Sequence, residues 1–122
     1  MDEKHLANAN AWLAALVDAT GEAIIARDID GTIMAWNAAA VRLYGYTPAE
    51  AVGHSVAMLV PPEAWDEYEQ NLQRVGRGEQ ISELETVRLR KDGSRVQVSL
   101  TISPIRDSKG VVVGSSVIFR DL

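Results

Sequence analysis

The sequence predicts an α+β fold: a five-stranded antiparallel sheet with short helices on one face and an N-terminal amphipathic helix. Three observations predict it. Apolar residues recur at three- and four-residue steps through residues 4–19, then at every second residue in Val96, Val98, Leu100 and Ile102. Compact turn sequences, Asp30-Gly31, Lys91-Asp92-Gly93 and Asp107-Ser108-Lys109-Gly110, separate runs of strand character. Between the two strand-rich parts, proline, glycine and capping residues divide the chain into brief helical stretches.

Residues 4–19 form the first predicted helix, with Leu6, Ala9, Leu13, Leu16 and Val17 on one stripe and Trp12 widening it. A stripe this broad fits two packing partners, the domain's own sheet and a second copy of the chain. Thr20-Gly21 ends the helix, because glycine tolerates a left-handed cap. Residues 1–20 are thus expected to be a dimerisation and cap helix, and 21–122 the core domain.

Ala23 to Arg27 and Thr32 to Trp36 read as a hairpin about Asp30-Gly31, a type I′ signal because both central residues of that turn need positive φ. Asn37 is an N-cap for a helix over Ala38 to Tyr44 that Gly45 stops. Thr47-Pro48-Ala49-Glu50 is a capping box with proline at the first helical position. Ser55 to Leu59 suits one more turn. Glu63 to Val75 is the longest internal helix, with Trp65, Tyr68, Leu72 and Val75 as its apolar side. Three strands follow, near 83–90, 96–103 and 111–119.

Composition narrows the function. Seventeen acids against twelve Lys and Arg give a net charge of −5, which disfavours nucleic acid as a partner. There is no cysteine, so disulfides, thiolate metal sites and cysteine nucleophiles are excluded. No apolar run approaches the roughly 18 residues needed to cross a bilayer, and Met1-Asp2-Glu3-Lys4 lacks signal-peptide character. A cytoplasmic domain without membrane insertion is the expectation. Arg88, Arg90, Lys91 and Arg95 gather at one turn and read as a solvated hairpin tip.

Catalytic patterns are incomplete. Gly53-His54-Ser55-Val56-Ala57 lacks the last glycine of a nucleophile elbow. Asp28-Ile29-Asp30-Gly31 begins like a calcium loop and then turns apolar. The two histidines, His5 and His54, have no metal-ligand spacing. No catalytic residues and no metal site are expected.

The stretch from Asp30-Gly31 through Asn37, Tyr44-Gly45-Tyr46 and Thr47-Pro48-Ala49-Glu50 to Gly53 resembles the first half of a PAS domain. Arg90-Lys91-Asp92-Gly93-Ser94 is similar to that family's turn between its third and fourth strands, and Arg120-Asp121-Leu122 to its exit signal. These motifs stand in order over nearly the whole chain. The resemblance implies a sensor and interaction module, not an enzyme, that regulates a histidine kinase or similar output domain in two-component signal transduction. It implies a homodimer through Leu6, Ala9, Trp12, Leu13, Leu16 and Val17, and a signal exit at Arg120 and Asp121.

The resemblance also bears on cofactors. Photosensory members carry a cysteine where this chain has Val56, so covalent flavin is out; haem-binding members place histidine where Trp65 stands, so histidine-ligated haem is disfavoured, with His54 a poor substitute. Non-covalent flavin stays open, and the cofactor is unknown. A small, largely apolar ligand would sit against Ile24, Ile33, Tyr44, Val56, Leu59, Trp65, Tyr68, Leu72, Val98, Leu100, Val117 and Phe119, all of which are also candidates for plain core packing. Ser99, Thr101, Ser115 and Ser116 would face that ligand or solvent, depending on strand register. The alternative is a ligand-free dimerisation domain.

Overall fold

A computed structural model describes residues 15–122. Strands β1 (Ala23–Asp28), β2 (Ile33–Trp36), β3 (Ile81–Leu89), β4 (Arg95–Arg106) and β5 (Val112–Asp121) form one antiparallel sheet in the order β2-β1-β5-β4-β3. Between β2 and β3 lie α1 (Ala38–Tyr44), α2 (Pro48–Ala51), 3₁₀ turns at Val56–Leu59 and Pro62–Ala64, and α3 (Trp65–Gly76). The helices cover one face of the sheet, as the sequence predicts. Residues 15–19 are helical and end at Gly21, whose φ is 71°. Leu6, Ala9, Trp12 and Leu13 lie outside the described residues.

The three hairpins share one turn chemistry. In Asp28-Ile29-Asp30-Gly31, Arg90-Lys91-Asp92-Gly93 and Asp107-Ser108-Lys109-Gly110, the glycine amide donates to the carbonyl three residues back, at 3.1, 3.0 and 3.0 Å. Each glycine has φ between 81° and 89°. The first turn is therefore not type I′: only Gly31 has positive φ, and Asp30 does not. The reason is Asp28, whose carboxylate accepts from the amides of Asp30 and Thr32 and stabilises the wider loop. A bulge between Ala26 and Arg27 absorbs the extra residue.

Local signals set the helix starts. The Asn37 side chain accepts from the amides of Ala40 and Ile24 and donates to the Glu22 carbonyl, so one residue caps α1 and ties it to β1. Both hydrogen bonds of the Thr47–Glu50 capping box are present. The long internal helix begins later than its periodicity predicts. Pro62–Ala64 is a 3₁₀ turn, and α3 starts at Trp65.

The register assigns faces. Ala23 pairs with Phe119, Ile25 with Val117 and Arg27 with Ser115, all toward the helices. Ile24, opposite Ile118, and Ala26, opposite Ser116, point to the other side. Among the serines and threonines left open by the sequence, Ser115 is buried under the helices, and Ser99, Thr101 and Ser116 take the opposite phase. The edge strand β2 is covered: Gly53 and Val56 amides donate to the Ile33 and Gly31 carbonyls, and the Ile33 amide donates to the His54 carbonyl.

Candidate functional site

The space between helices and sheet is where the sequence-predicted lining meets. Ile33, Tyr44, Val56, Leu59, Tyr68, Val98, Leu100, Val117 and Phe119 belong to one buried cluster, with Leu72 packed against it. Two residues of the expected lining do not join them. Ile24 lies on the far face of the sheet, because period two puts it out of phase with Ala23 and Ile25. Trp65 is 40% exposed at the start of α3, where its indole Nε1 donates to Glu69 one turn on. The buried side of α3 is Tyr68, Asn71 and Val75, so the helix is rotated from the apolar stripe and turns a polar residue inward. His54 is exposed.

The interior also holds charge that the sequence reading placed elsewhere. Arg27 is 4% exposed and Arg88 5% exposed. Arg88 is thus no part of a solvated hairpin tip. It shares the inward phase of β3 with Leu84 and Thr86, opposite Val96, and only Arg90, Lys91 and Arg95 remain at the turn. The Arg27 Nε donates to Ser115 Oγ at 2.8 Å, and its guanidinium carbon lies 6.0 Å from the centre of the Tyr68 ring, within cation–π range. Arg88 Nη1 donates to the Val87 carbonyl at 2.9 Å. Among the described residues, no carboxylate forms an ion pair with either arginine.

Burial lowers the Arg27 pKa to about 10; the nearby Tyr68 opposes that shift and the Arg88 charge adds to it. Burial also lowers that of Arg88, opposed by Tyr44, Glu67 and Tyr68. Both side chains remain cations at neutral pH. Burial pushes the Tyr44 and Tyr68 phenols up, so both stay protonated.

Four buried polar atoms in this layer lack a hydrogen-bond partner: Arg27 Nη2, Tyr44 Oη, Asn71 Nδ2 and Glu67 Oε1. Buried polar groups are nearly always satisfied, and each that is not costs about 1–3 kcal/mol. Tyr44 belongs to α1, Glu67 and Asn71 to α3 and Arg27 to β1, so the four come from both the helices and the sheet. The rest of the wall is apolar, from Val98, Leu100, Val117 and Phe119. Such a mixture of apolar wall and a few aimed polar groups is how small-molecule sites are built.

The sequence held a sign of this cluster. Arg27 stands in the inward phase of β1, two residues after Ile25, and a cation at such a position needs a reason. Arg88 was hidden because its neighbours at the turn are also basic.

On the opposite face of the sheet runs an open groove of about 400 Å³, lined by Val17, Ile24, Ala26, Ala35 and Ser116 among others. Leu16, at its margin in sequence, is 61% exposed. The residues assigned to signal exit lie at the end of β5, where the Arg120 guanidinium pairs with Glu22 at 3.1 Å.

A family model described as the PAS fold matches residues 17–122, and the chain belongs to that family. It is similar to the PAS domain of a protein from Colwellia psychrerythraea, at 28% identity over 92% of this chain and 95% of that one, with a TM-score of 0.82. The PAS domain of an HTR-like protein from Haloarcula marismortui matches at 24% identity over 98% of this chain and 97% of that one, TM-score 0.82. The light-state dimer of the fungal blue-light photoreceptor Vivid matches at 25% identity over 83% of this chain and 78% of that one, TM-score 0.70. The fold and the family together define a PAS sensory domain. No helix among the described residues is long and apolar enough to cross a membrane.

Proposed function

We propose that this domain is the sensing part of a cytoplasmic signalling protein. It binds a small molecule between its helices and sheet, and passes the occupied state to an output domain such as a histidine kinase. The observation that carries the reading is the set of four unpartnered polar atoms in the interior. A core whose only task is stability has no use for them. A ligand that satisfies them favours one packing of α3 and β5 over another and biases the equilibrium by its differential affinity.

The same reading makes the domain a homodimer through the helix that the sequence predicts over residues 4–19. Support comes from the groove on the outer sheet face, where Val17 and Ile24 line apolar surface that the described residues leave uncovered, and from the Vivid dimer among the structural relatives. Native mass spectrometry of protein taken directly from its host tests the ligand: a reproducible bound mass is expected, and a clean apoprotein at every preparation refutes it. Sedimentation of Leu13→Asp tests the dimer, since a charge in a desolvated seam weakens association. An unchanged dimer removes that helix from the interface.

A further inference from the structure

We propose that the interior site takes a small organic monocarboxylate, neutralised by the buried guanidiniums of Arg27 and Arg88 and hydrogen-bonded by Arg27 Nη2, Asn71 Nδ2 and Tyr44 Oη. The inference rests on the ligand-sensing reading and names the ligand class. Arg27 and Arg88 are both more than nine-tenths buried, and no carboxylate of the described chain pairs with either. A buried cation left without an anion is among the costliest arrangements in a protein interior, so an arginine kept there points to an anion that arrives later.

Three of the four unpartnered atoms, Arg27 Nη2, Asn71 Nδ2 and Tyr44 Oη, are able to donate. The planar guanidinium fork suits the two oxygens of a carboxylate. Charge count selects a monoanion. Arg27 and Arg88 bring two positive charges, and Glu67, whose charge acts on Arg88 without pairing with it, brings one negative charge, leaving one to be neutralised. The free Glu67 Oε1 accepts a hydroxyl hydrogen from the same molecule. Val98, Leu100, Val117 and Phe119 require the remainder of the ligand to be apolar. That requirement disfavours inorganic phosphate, which has no apolar part.

The test uses the whole 122-residue chain, stripped of bound molecules by unfolding and refolding. Thermal melts and titration calorimetry are run with butyrate, hexanoate and benzoate, each beside its uncharged amide, and with succinate and inorganic phosphate. At least one monocarboxylate is expected to raise the melting temperature saturably, and its amide to fail. Arg27→Met and Arg88→Met keep most of the side-chain volume and are expected to weaken that binding roughly tenfold or more. The unliganded variants are expected to melt no lower than the parent, because an unpaired buried charge has been removed. Arg27→Lys, which keeps the charge and loses the fork, is expected to bind with intermediate strength.

Equal binding of amide and carboxylate overturns the ligand class and leaves the sensing reading standing. So does a preference for succinate or phosphate, or binding that survives both methionine variants. No response to any compound, joined to a clean apoprotein from the host, overturns both.

Discussion

Replacing Tyr44 by phenylalanine separates a functional interior from an ordinary core. The Tyr44 ring is fully buried and packs edge-on against Phe119, with centroids 5.2 Å apart, and at a tilt against Trp36 at 5.8 Å. Tyr44→Phe keeps the ring and both contacts and deletes one oxygen. In the ligand-free chain that oxygen has no partner, so its removal relieves about 1–3 kcal/mol of desolvation cost. The void left by one oxygen is about 10–15 Å³, which at roughly 24 cal/mol per Å³ costs about 0.3 kcal/mol. The variant should therefore be more stable by about 0.7–2.7 kcal/mol, a rise of roughly 3–12 °C for a domain of this size. Urea unfolding followed by circular dichroism gives the same difference as a shifted midpoint with unchanged slope. Stability lower than the parent by about 1 kcal/mol would show that the hydroxyl is satisfied within the folded chain, and the case for a ligand would lose one of its donors.

Other perturbations are equally direct. Stability should fall as pH drops below about 5: hydrogen bonds from Lys91 hold the Glu50 carboxyl down to about 2, those from Arg95 lower Glu63, and those from Ser94 lower Asp92. A depressed carboxylate pKa stabilises the fold above the unfolded value and loses that effect as pH falls through the folded one; a midpoint flat from pH 6 to 3 would contradict these pairs. Gly114→Ala should break the β1–β5 junction, because its Cβ would lie 2.2 Å from the Arg27 carbonyl oxygen; a loss of about 2 kcal/mol or more in chemical unfolding is expected, and less than about 0.5 would mean the strands slide apart freely. Thr47→Ala removes the capping box and should cost about 1 kcal/mol by the same assay, with a neutral result showing that α2 is held by packing alone.

Much of the fold was legible because its determinants are local. Asn37, the Thr47–Glu50 box and the three glycine-closed turns each act within a few residues, and a single sequence displays them. The alternation of Val96 to Ile102 likewise told which side of β4 is buried. What escaped depends on long-range partners. Nothing near Asp30-Gly31 in a type I′ signal announces that Asp28 will reorganise the turn by accepting two amides. The rotation of α3 is set by what the sheet offers across the gap, not by the stripe of Trp65 and Leu72. The candidate site was legible in its apolar wall and not in its charges. Arg88 is followed closely by Arg90, Lys91 and Arg95 at the turn, and only pairing with Val96 across β3 and β4 reveals that it points inward.

The antiparallel pairing of Ala23 with Phe119 sets the chain's way into the core domain beside its way out. The Glu22 carboxylate and the Arg120 guanidinium fasten the two leads at that point. A segment placed before the domain and another placed after it would therefore depart from a common corner of the sheet. Any tilt of β5 relative to β1 would turn both like two arms on one pivot. Domains strung in tandem on such corners would pass a twist along a line of adjoining leads, with no need for the interior of one to touch that of the next.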